Sequence, residues 1–200
     1  MAGARSGVRI VGGRWRGRRL PVPVVPGLRP TPDRVRETLF NWLGQDLDGA
    51  RCLDLFAGSG ILGFEALSRG AALCVAFERD RLACARLREA AARLGAEGYE
   101  LRSGNSRALL AAERRAFDVI FVDPPFDEEW LPGLWPELAR CLAQDGRLYV
   151  EAPQRVAPPA GWELLRGDKA GQVHYHLLRR NAAATESDPT PLPAARGRPC

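Results

Sequence analysis

The fold of this 200-residue chain is constrained most by the segment Leu53 to Gly63, which reads Leu-Asp-Leu-Phe-Ala-Gly-Ser-Gly-Ile-Leu-Gly. It begins as a short apolar strand with Asp54 near its end, and glycines follow at 58, 60 and 63, where an apolar helix begins. Glycines let the backbone turn tightly, let a ligand approach the chain, and let the helix pack close to its strand. The segment therefore predicts a nucleotide-binding turn, with a plain strand and glycine turn as the alternative.

The glycine spacing alone leaves two cofactor classes open. Glu78 lies about 20 residues beyond Gly58, where an acid binds the ribose hydroxyls of a dinucleotide, so a nicotinamide oxidoreductase fits this part of the pattern. Asp54 favours S-adenosylmethionine, because the ammonium group of that cofactor attracts a carboxylate whereas a pyrophosphate is repelled by one. A nicotinamide enzyme would leave Asp54 without a role.

From residue 50 onward the sequence alternates strands and helices, which predicts a mostly parallel sheet with helices on both faces. Ligands bind such sheets at the carboxyl ends of the strands. Four polar residues near these ends should therefore share one crevice: Asp54, Glu78, Asn105 and Asp123. We expect strands at 51–55, 73–78, 99–103, 118–123 and 147–151, helices near 61–69, 80–94, 105–114 and 128–143, and an antiparallel edge pair at 162–166 and 172–178.

A second informative segment runs from Asp118 to Phe126, a buried strand that ends in Asp123 and a rigid Pro-Pro turn. Because Pro124 and Pro125 have no N–H, this turn offers only acceptors, namely the Asp123 carboxylate and the Pro124 carbonyl. Two acceptors can hold both hydrogens of an exocyclic amine and aim its lone pair at a methyl group, while Phe126 stacks on the base. The segment predicts methyl transfer to a planar amine; the alternative is a strand that simply ends in a rigid turn.

Positive charge is concentrated near the N-terminus. Residues 1–36 contain nine arginines and one acid, whereas the whole chain carries a net charge of +5. Guanidinium groups pair with phosphates and an exposed indole stacks on an unpaired base, so this region predicts a nucleic-acid partner. A solvated hairpin whose Trp15 covers the domain surface is the alternative. The predicted RNA contacts are Arg14, Trp15, Arg16, Arg18, Arg19, Arg34 and Arg36.

A helix is predicted after the proline-rich residues 20–30. Thr31 is suited to cap it, and Pro32 to occupy its first turn. The apolar stripe of this helix consists of Val35, Leu39, Trp42 and Leu43, and it leaves Arg34 and Arg36 pointing away.

Composition limits the remaining expectations. With 46% hydrophobic residues the chain can bury one core, and it contains no apolar run of the roughly 20 residues that span a bilayer. We therefore expect a cytoplasmic protein without a membrane partner. The five cysteines are scattered and predict buried free thiols. His174 and His176 lack a third ligand nearby, so no metal is expected. Residues 181–200 contain four prolines and predict a disordered tail.

The Asp-Pro-Pro-Phe turn and the glycine segment together resemble the S-adenosylmethionine-dependent amino methyltransferases. More closely, the chain resembles the RsmD family, which methylates the N2 amine of one guanine in small-subunit (16S) ribosomal RNA. The matching segments are Arg9 to Pro23, Leu28 to Leu43, Cys52 to Ala71, Phe117 to Phe126 and Ala170 to Tyr175.

The resemblance implies a Rossmann-like methyltransferase domain with a seven-stranded sheet at 44–180, preceded by an RNA-holding extension and helix at 1–43. It implies S-adenosylmethionine as cofactor and ribosomal RNA as partner, as free RNA or within an assembling subunit. We expect the protein to be a monomer. A methyltransferase acting on adenine N6 or a protein amide, and a non-catalytic RNA-binding protein, are alternatives. The implied cofactor contacts are Asp54, Phe56, Ala57, Gly58, Ser59 and Gly60 for the methionine part, Glu78 and Arg79 for the ribose, and Asn105 and Ser106 for the adenine; the implied amine site is Asp123, Pro124, Pro125 and Phe126.

Overall fold

The structure, a computed structural model, describes residues 7–21, 31–125 and 130–181. Two one-turn 3-10 helices lie at Gly13–Trp15 and Leu131–Gly133. The strands are β1 (Val8–Arg9), β2 (Arg19–Leu20), β3 (Arg51–Asp54), β4 (Leu73–Glu78), β5 (Tyr99–Ser103), β6 (Phe117–Val122), β7 (Leu142–Ala152), β8 (Trp162–Ala170) and β9 (Val173–Arg180). The helices are α1 (Asp33–Leu43), α2 (Ile61–Ser68), α3 (Arg81–Leu94), α4 (Ser106–Ala112) and α5 (Trp135–Cys141).

Seven strands form one sheet in the order β5-β4-β3-β6-β7-β9-β8. Strands β3 to β7 are parallel, and β9 runs antiparallel to both β7 and β8. The predicted α/β fold with a mostly parallel seven-stranded sheet is confirmed, including its antiparallel edge pair. The chain moves outward from β3 to β5 and then returns to β6, so the carboxyl ends of β3 and β6 flank the point where the strand order reverses, which is where such sheets bind ligands.

The predicted helix at 128–143 is wrong in its bounds. The helix α5 begins at Trp135 after the separate turn at Leu131–Gly133, because Pro132 and Gly133 interrupt a helix whereas Pro136 suits its first turn. It ends at Cys141, since Leu142 already pairs with Phe117 and lengthens β7 beyond the predicted 147–151. Residues 126–129, including Phe126, lie outside the described part of the chain.

Both faces of the sheet are buried, as parallel sheets require. Successive strand residues alternate between two apolar clusters. Phe121 and Tyr149 pack under α1, α2 and α3 on one face. Ile120 and Leu148 pack under α4 and α5 on the other.

The helix α1 packs its apolar stripe into the first cluster, with Leu39 and Phe40 fully buried. Its start differs from the prediction, because Pro32 occupies the N-cap position and no side chain caps the helix. The Thr31 hydroxyl instead donates a hydrogen bond to Glu151 Oε1 at 3.0 Å. The residue therefore joins the start of α1 to the end of β7.

The hairpin formed by β1 and β2 is fastened to α2 through two polar side chains. Glu65 accepts hydrogen bonds from the Val11 N–H at 2.6 Å and the Gly12 N–H at 3.3 Å. Ser68 Oγ accepts from the Trp15 N–H at 2.9 Å and donates to the Gly12 carbonyl at 2.6 Å. These bonds satisfy backbone groups that the short strands leave unpaired.

Arg36 is fully buried, which contradicts the prediction that it points away from the core toward RNA. The hairpin covers the side of α1 that the apolar stripe leaves open. There Arg36 lies 3.4 Å from Glu65 Oε1 and donates to Asp33 Oδ1 at 2.8 Å and to the Thr31 carbonyl at 3.1 Å. Its charge is satisfied inside the protein, so it is unsuited to a phosphate contact.

Trp15 is only 5% exposed, so the prediction that its indole stacks on an RNA base is wrong. The indole belongs to the first apolar cluster, as in the alternative in which it covers the domain surface. The Arg14 guanidinium lies 4.4 Å from the centre of the Trp15 ring.

Four cysteines, Cys52, Cys74, Cys84 and Cys141, are buried free thiols as predicted, and Cys200 lies outside the described residues, as does the tail from 182 onward. Within residues 7–21, 31–125 and 130–181, no helix is both long enough and apolar enough to cross a membrane.

Glu65 should be a major source of stability, because it compensates the buried Arg36 guanidinium and lies 3.5 Å from Arg69 Nε. Removing one partner of a buried ion pair leaves an uncompensated charge. We expect Glu65→Ala to lower the free energy of unfolding by about 3–5 kcal/mol, measured by urea denaturation. The control Glu89→Ala removes an exposed ion pair with Arg86 and should cost less than about 1 kcal/mol. Equal losses in the two variants would contradict this role.

Candidate active site

The glycine turn has the geometry predicted from the sequence, since β3 ends at Asp54 and α2 begins at Ile61. Gly58 and Gly60 adopt φ angles of 53° and 76°, in the left-handed region that favours glycine. A Cβ on Gly60 would lie 2.4 Å from Leu87 Cδ2 and 2.8 Å from Phe64 Cε2, so a larger residue would have to push these core side chains aside. Glycine at position 60 therefore lets the turn pack closely on the core beside α3.

Asp54 is buried at the base of this turn, and its Oδ2 accepts a hydrogen bond from the Gly63 N–H at 3.3 Å. Burial, together with the charge of Glu78, raises the pKa of the Asp54 carboxyl to about 7. A carboxyl in this situation gains stability from a positively charged ligand, because such a ligand offsets the cost of burying the anion.

Glu78 joins the end of β4 to the glycine turn. Its Oε2 accepts from the Gly58 N–H and its Oε1 from the Asp80 N–H, each at 2.8 Å. The structure thus brings the two predicted cofactor contacts on β3 and β4 together.

The other predicted cofactor contacts fall in or beside the same crevice. Within the turn, Ala57 and Ser59 are buried and Phe56 is half-buried, whereas Arg79 after β4 is exposed. After β5, Asn105 is exposed and Ser106 is buried.

Asn105 has a structural role that the sequence prediction did not include. Its Oδ1 caps α4 by accepting from the Arg107 N–H at 3.0 Å and the Ala108 N–H at 3.2 Å. This fixes the side chain at the end of β5, and its contact with adenine stays a proposal.

At the end of β6, the Asp123 and Pro124 residues are half-buried and Pro125 is exposed. Val122 pairs with Val150 in the parallel register of β6 and β7, which places Asp123 beside Glu151 at the next position. Glu151 is buried, and its Oε1 accepts from the Tyr149 hydroxyl at 2.8 Å and the Thr31 hydroxyl at 3.0 Å.

The electrostatics of the crevice are dominated by acids. Burial raises the pKa of the Asp123 carboxyl well above its usual range, and the charges of Glu151 and Asp54 raise it further. Burial likewise raises the pKa of Glu151. Glu78, Asp54, Asp123 and Glu151 lie at the ends of four neighbouring strands, β4, β3, β6 and β7. This row of carboxyls, which we call the acidic row, favours a cationic ligand.

Four residues at the site were missed by sequence reasoning. Glu151 carried a usable signal, because an acid at the end of the apolar run Leu148-Tyr-Val resembles Asp123 at the end of its own strand. The other three residues carried no such signal in the sequence. Thr31 acts from a position before α1. The Trp130 ring meets the Phe56 ring edge-on at 4.9 Å between ring centres, and the Arg107 guanidinium lies 4.7 Å from the centre of the Trp130 ring.

The remaining predicted RNA contacts are exposed arginines: Arg14, Arg16, Arg18, Arg19 and Arg34. Arg18 and Arg19 also line a surface cleft of about 350 Å³ together with Arg93 near the end of α3, and its other walls are largely apolar. Three arginines that line one cleft concentrate positive charge there, and the sequence did not reveal this because Arg93 is distant along the chain.

The described residues contain no group of three or more His, Cys, Asp or Glu that could hold a metal ion. His176 is engaged with the backbone, since its Nε2 accepts from the Val156 N–H at 3.2 Å and its Nδ1 lies 3.3 Å from the Val150 carbonyl.

The chain is similar to known proteins along most of its length. It is 47% identical over 190 residues to Ribosomal RNA small subunit methyltransferase D of Escherichia coli strain K12, covering 90% of this chain and 93% of the relative. The protein of the same name from Haemophilus influenzae is 40% identical over 184 residues, covering 88% and 95%. The solved structure of Escherichia coli yhhF matches with a TM-score of 0.80 and 46% identity, covering 88% of this chain and 99% of that one. The sequence model of the family described as Conserved hypothetical protein 95 matches residues 8–179, and the chain therefore belongs to this family, the RsmD methyltransferase family.

Proposed function

We propose that this protein transfers a methyl group from S-adenosylmethionine to the exocyclic N2 amine of a guanine in 16S ribosomal RNA, in the cytoplasm. The observation that carries the proposal is the acidic row beside the glycine turn. S-adenosylmethionine bears a sulfonium, an ammonium and a carboxylate group, so its net positive charge complements the neighbouring carboxyls of the row. The names of the relatives, which refer to ribosomal RNA of the small subunit, support the substrate.

The residues of the crevice fit this cofactor. Asp54 is suited to the ammonium group. Its carboxyl is buried, and the hydrogen bond that it accepts from Gly63 comes from a backbone N–H rather than from a cationic side chain. Glu78 is suited to the ribose hydroxyls, and its bond to the Gly58 N–H holds it against the turn. Gly58, which is half-buried and has no side chain, is suited to lie against the methionine part. We propose further contacts from Phe56, Ala57, Ser59, Arg79, Asn105 and Ser106.

The turn after β6 is suited to hold the target amine. Asp123 and the Pro124 carbonyl accept the two hydrogens of the amine, which draws its lone pair out of conjugation with the base and directs it outward. When bound, S-adenosylmethionine supplies an electrophilic methyl group. The amine nitrogen would form a bond to that methyl as the methyl–sulfur bond breaks and the demethylated thioether leaves, and it would then release one proton to solvent; Asp123 stabilises the positive charge that develops on the nitrogen. Pro125 keeps the turn rigid, and Phe126 supplies a stacking surface for the base.

The same acceptor turn would serve adenine N6 or a protein amide, so the preference for guanine depends on the substrate rather than on the turn. A nicotinamide cofactor is disfavoured by the acidic row, because its pyrophosphate would lie among carboxyls. A purely RNA-binding protein would make no use of the crevice.

The exposed arginines of the hairpin supply a path for RNA. We propose that residues 1–43 hold the RNA and that residues 44–180 carry out the chemistry. Arg16 and Arg18 are the sharpest test positions, because Arg14 packs on Trp15 and Arg19 donates to the Gly7 carbonyl at 2.8 Å. Arg34 on α1 is exposed and extends the basic surface.

The charge of Asp54 should contribute to binding of the cofactor. Asp54→Asn keeps the shape of the side chain but removes its charge, and a charge-assisted bond contributes about 1.5–3 kcal/mol, so we expect S-adenosylmethionine to bind about 10- to 100-fold more weakly in calorimetry. Asp118→Asn is the matched control, because Asp118 lies on the same sheet near the start of β6 and accepts a hydrogen bond from the Arg51 N–H at 2.8 Å. Wild-type protein that binds NAD in place of S-adenosylmethionine would overturn the proposal.

The exposed arginines of the hairpin should bind RNA through their charge. Replacing Arg16 and Arg18 with alanine should reduce the dependence of RNA affinity on salt by about 0.7–0.9 per lost phosphate contact, because each contact releases condensed counterions. Affinity for the cofactor should not change. The control pair, Arg166→Ala and Arg179→Ala, lies on the edge strands β8 and β9 and should leave the salt dependence as it is. If RNA affinity depends equally on salt in wild type and in the Arg16/Arg18 variant, the hairpin is a solvated surface and does not bind RNA through these arginines.

A further inference from the structure

Glu151 is a buried acid at the acceptor end of the crevice that the proposed mechanism does not use. It is only 4% exposed, so it is badly placed to touch RNA. It nevertheless lies beside Asp123 in the register of β6 and β7 and influences its ionisation directly. A buried acid next to a residue proposed to act on the substrate calls for a physical account.

The hydrogen bonds around the pair indicate which carboxyl carries a proton. The Thr31 hydroxyl has a single proton, and that proton is directed to Glu151 Oε1 at 3.0 Å. The Tyr149 hydroxyl donates to the same oxygen at 2.8 Å. Glu151 thus accepts two hydrogen bonds from hydroxyl groups, as an anion does. A single proton shared by the two neighbouring carboxyls is therefore held by Asp123.

The charges that face the pair favour one shared proton. The side chains whose charge or hydrogen bond acts on the two carboxyls are Asp54 from β3, Tyr149 from β7 and Thr31 from before α1. Among these described groups there is no cation. Arg36 of α1 reaches the Thr31 carbonyl, but its charge is matched by Asp33 and Glu65. Two neighbouring carboxylates without a counter-charge cannot both be ionised at low cost.

We propose that Glu151 is a positioning residue: as an anion held by the Thr31 and Tyr149 hydroxyls, it keeps the neighbouring Asp123 a neutral acid in the free protein. Asp123 then becomes a carboxylate only when its proton leaves to solvent. The inference rests on the proposed function, since it concerns the residue assigned to the target amine. It means that the amine acceptor is fully formed only when the site can supply positive charge, as a cationic cofactor does.

The sign of the pH dependence follows from this arrangement. The active form of Asp123 is the carboxylate, so the methylation rate should rise with pH through the raised pKa of this group. Glu151→Gln removes the neighbouring charge, which lowers that pKa. The acidic limb of the rate profile should therefore move to lower pH by about one unit or more, as expected for neighbouring like charges, and this shift is about tenfold in rate below the limb.

The test is single-turnover methylation of small-subunit ribosomal RNA at saturating S-adenosylmethionine across pH, for wild type, Glu151→Gln and the exposed control Glu163→Gln. A second readout needs no activity: infrared titration of the free protein follows the protonated carboxyl that Asp123→Asn removes. We expect Glu151→Gln to move both midpoints downward and Glu163→Gln to move neither. A merely structural Glu151 would change the rate but leave both midpoints at their wild-type values, which would overturn the inference.

Tyr149 gives an independent test should Glu151→Gln fail to fold. Tyr149→Phe removes a hydroxyl that donates to Glu151, so the shared proton shifts toward Glu151 and the infrared midpoint of Asp123 should move downward. Unchanged midpoints in Tyr149→Phe would overturn the inference. If wild type transfers no methyl group to RNA while the infrared midpoints move as expected, the proposed function fails and the proton arrangement stands.

Discussion

In a parallel sheet the carboxyl ends of the strands lie along one edge, so residues at or just after those ends come close together. The site of this protein depends on that constraint. The ends of β4, β3, β6 and β7 carry the acidic row, although its members come from distant parts of the sequence. Water is partly excluded there, so each carboxyl raises the cost of ionising the next. The crevice is thereby prepared for a ligand that supplies positive charge. The glycine turn gives that ligand access to the backbone.

The basic hairpin and the acidic crevice are physically connected. Glu65 receives backbone N–H groups of the hairpin and lies against the Arg36 guanidinium. Arg36 donates to the Thr31 carbonyl, and the Thr31 hydroxyl donates to Glu151 beside Asp123. A continuous series of contacts therefore runs from the surface proposed to hold RNA to the residue proposed to hold its target amine. The order of these contacts also explains why Arg36 is buried rather than free to meet RNA.

The sequence predicted the sheet well because parallel strands buried on both faces read as apolar runs with polar ends. It also placed Asp54, Glu78 and Asp123 correctly at those ends. It failed where tertiary packing overrides a local preference. Trp15 and Arg36 looked exposed from helix and hairpin patterns, but each is covered by the element that packs on it.

Thr31 is another residue whose local preference is overridden by a tertiary contact. Its type and position suit a helix cap, yet the end of β7 offers Glu151 as a partner, and that partner is invisible from the local sequence. Glu151 itself was detectable by the rule that identified Asp123, an acid that ends an apolar strand. The cleft lined by Arg18, Arg19 and Arg93 joins residues far apart in the chain, so only the fold reveals it.

The most direct test of the account identifies the atom that is methylated. Small-subunit ribosomal RNA is incubated with the protein and S-adenosylmethionine carrying an isotopically labelled methyl group, then digested to nucleosides and analysed by mass spectrometry. Wild type should yield labelled N2-methylguanosine, and Asp123→Ala should form it on the order of 10² times more slowly because a transition-state contact is lost. Label on adenine N6, or methylation by the Asp123→Ala variant at the wild-type rate, would contradict the account.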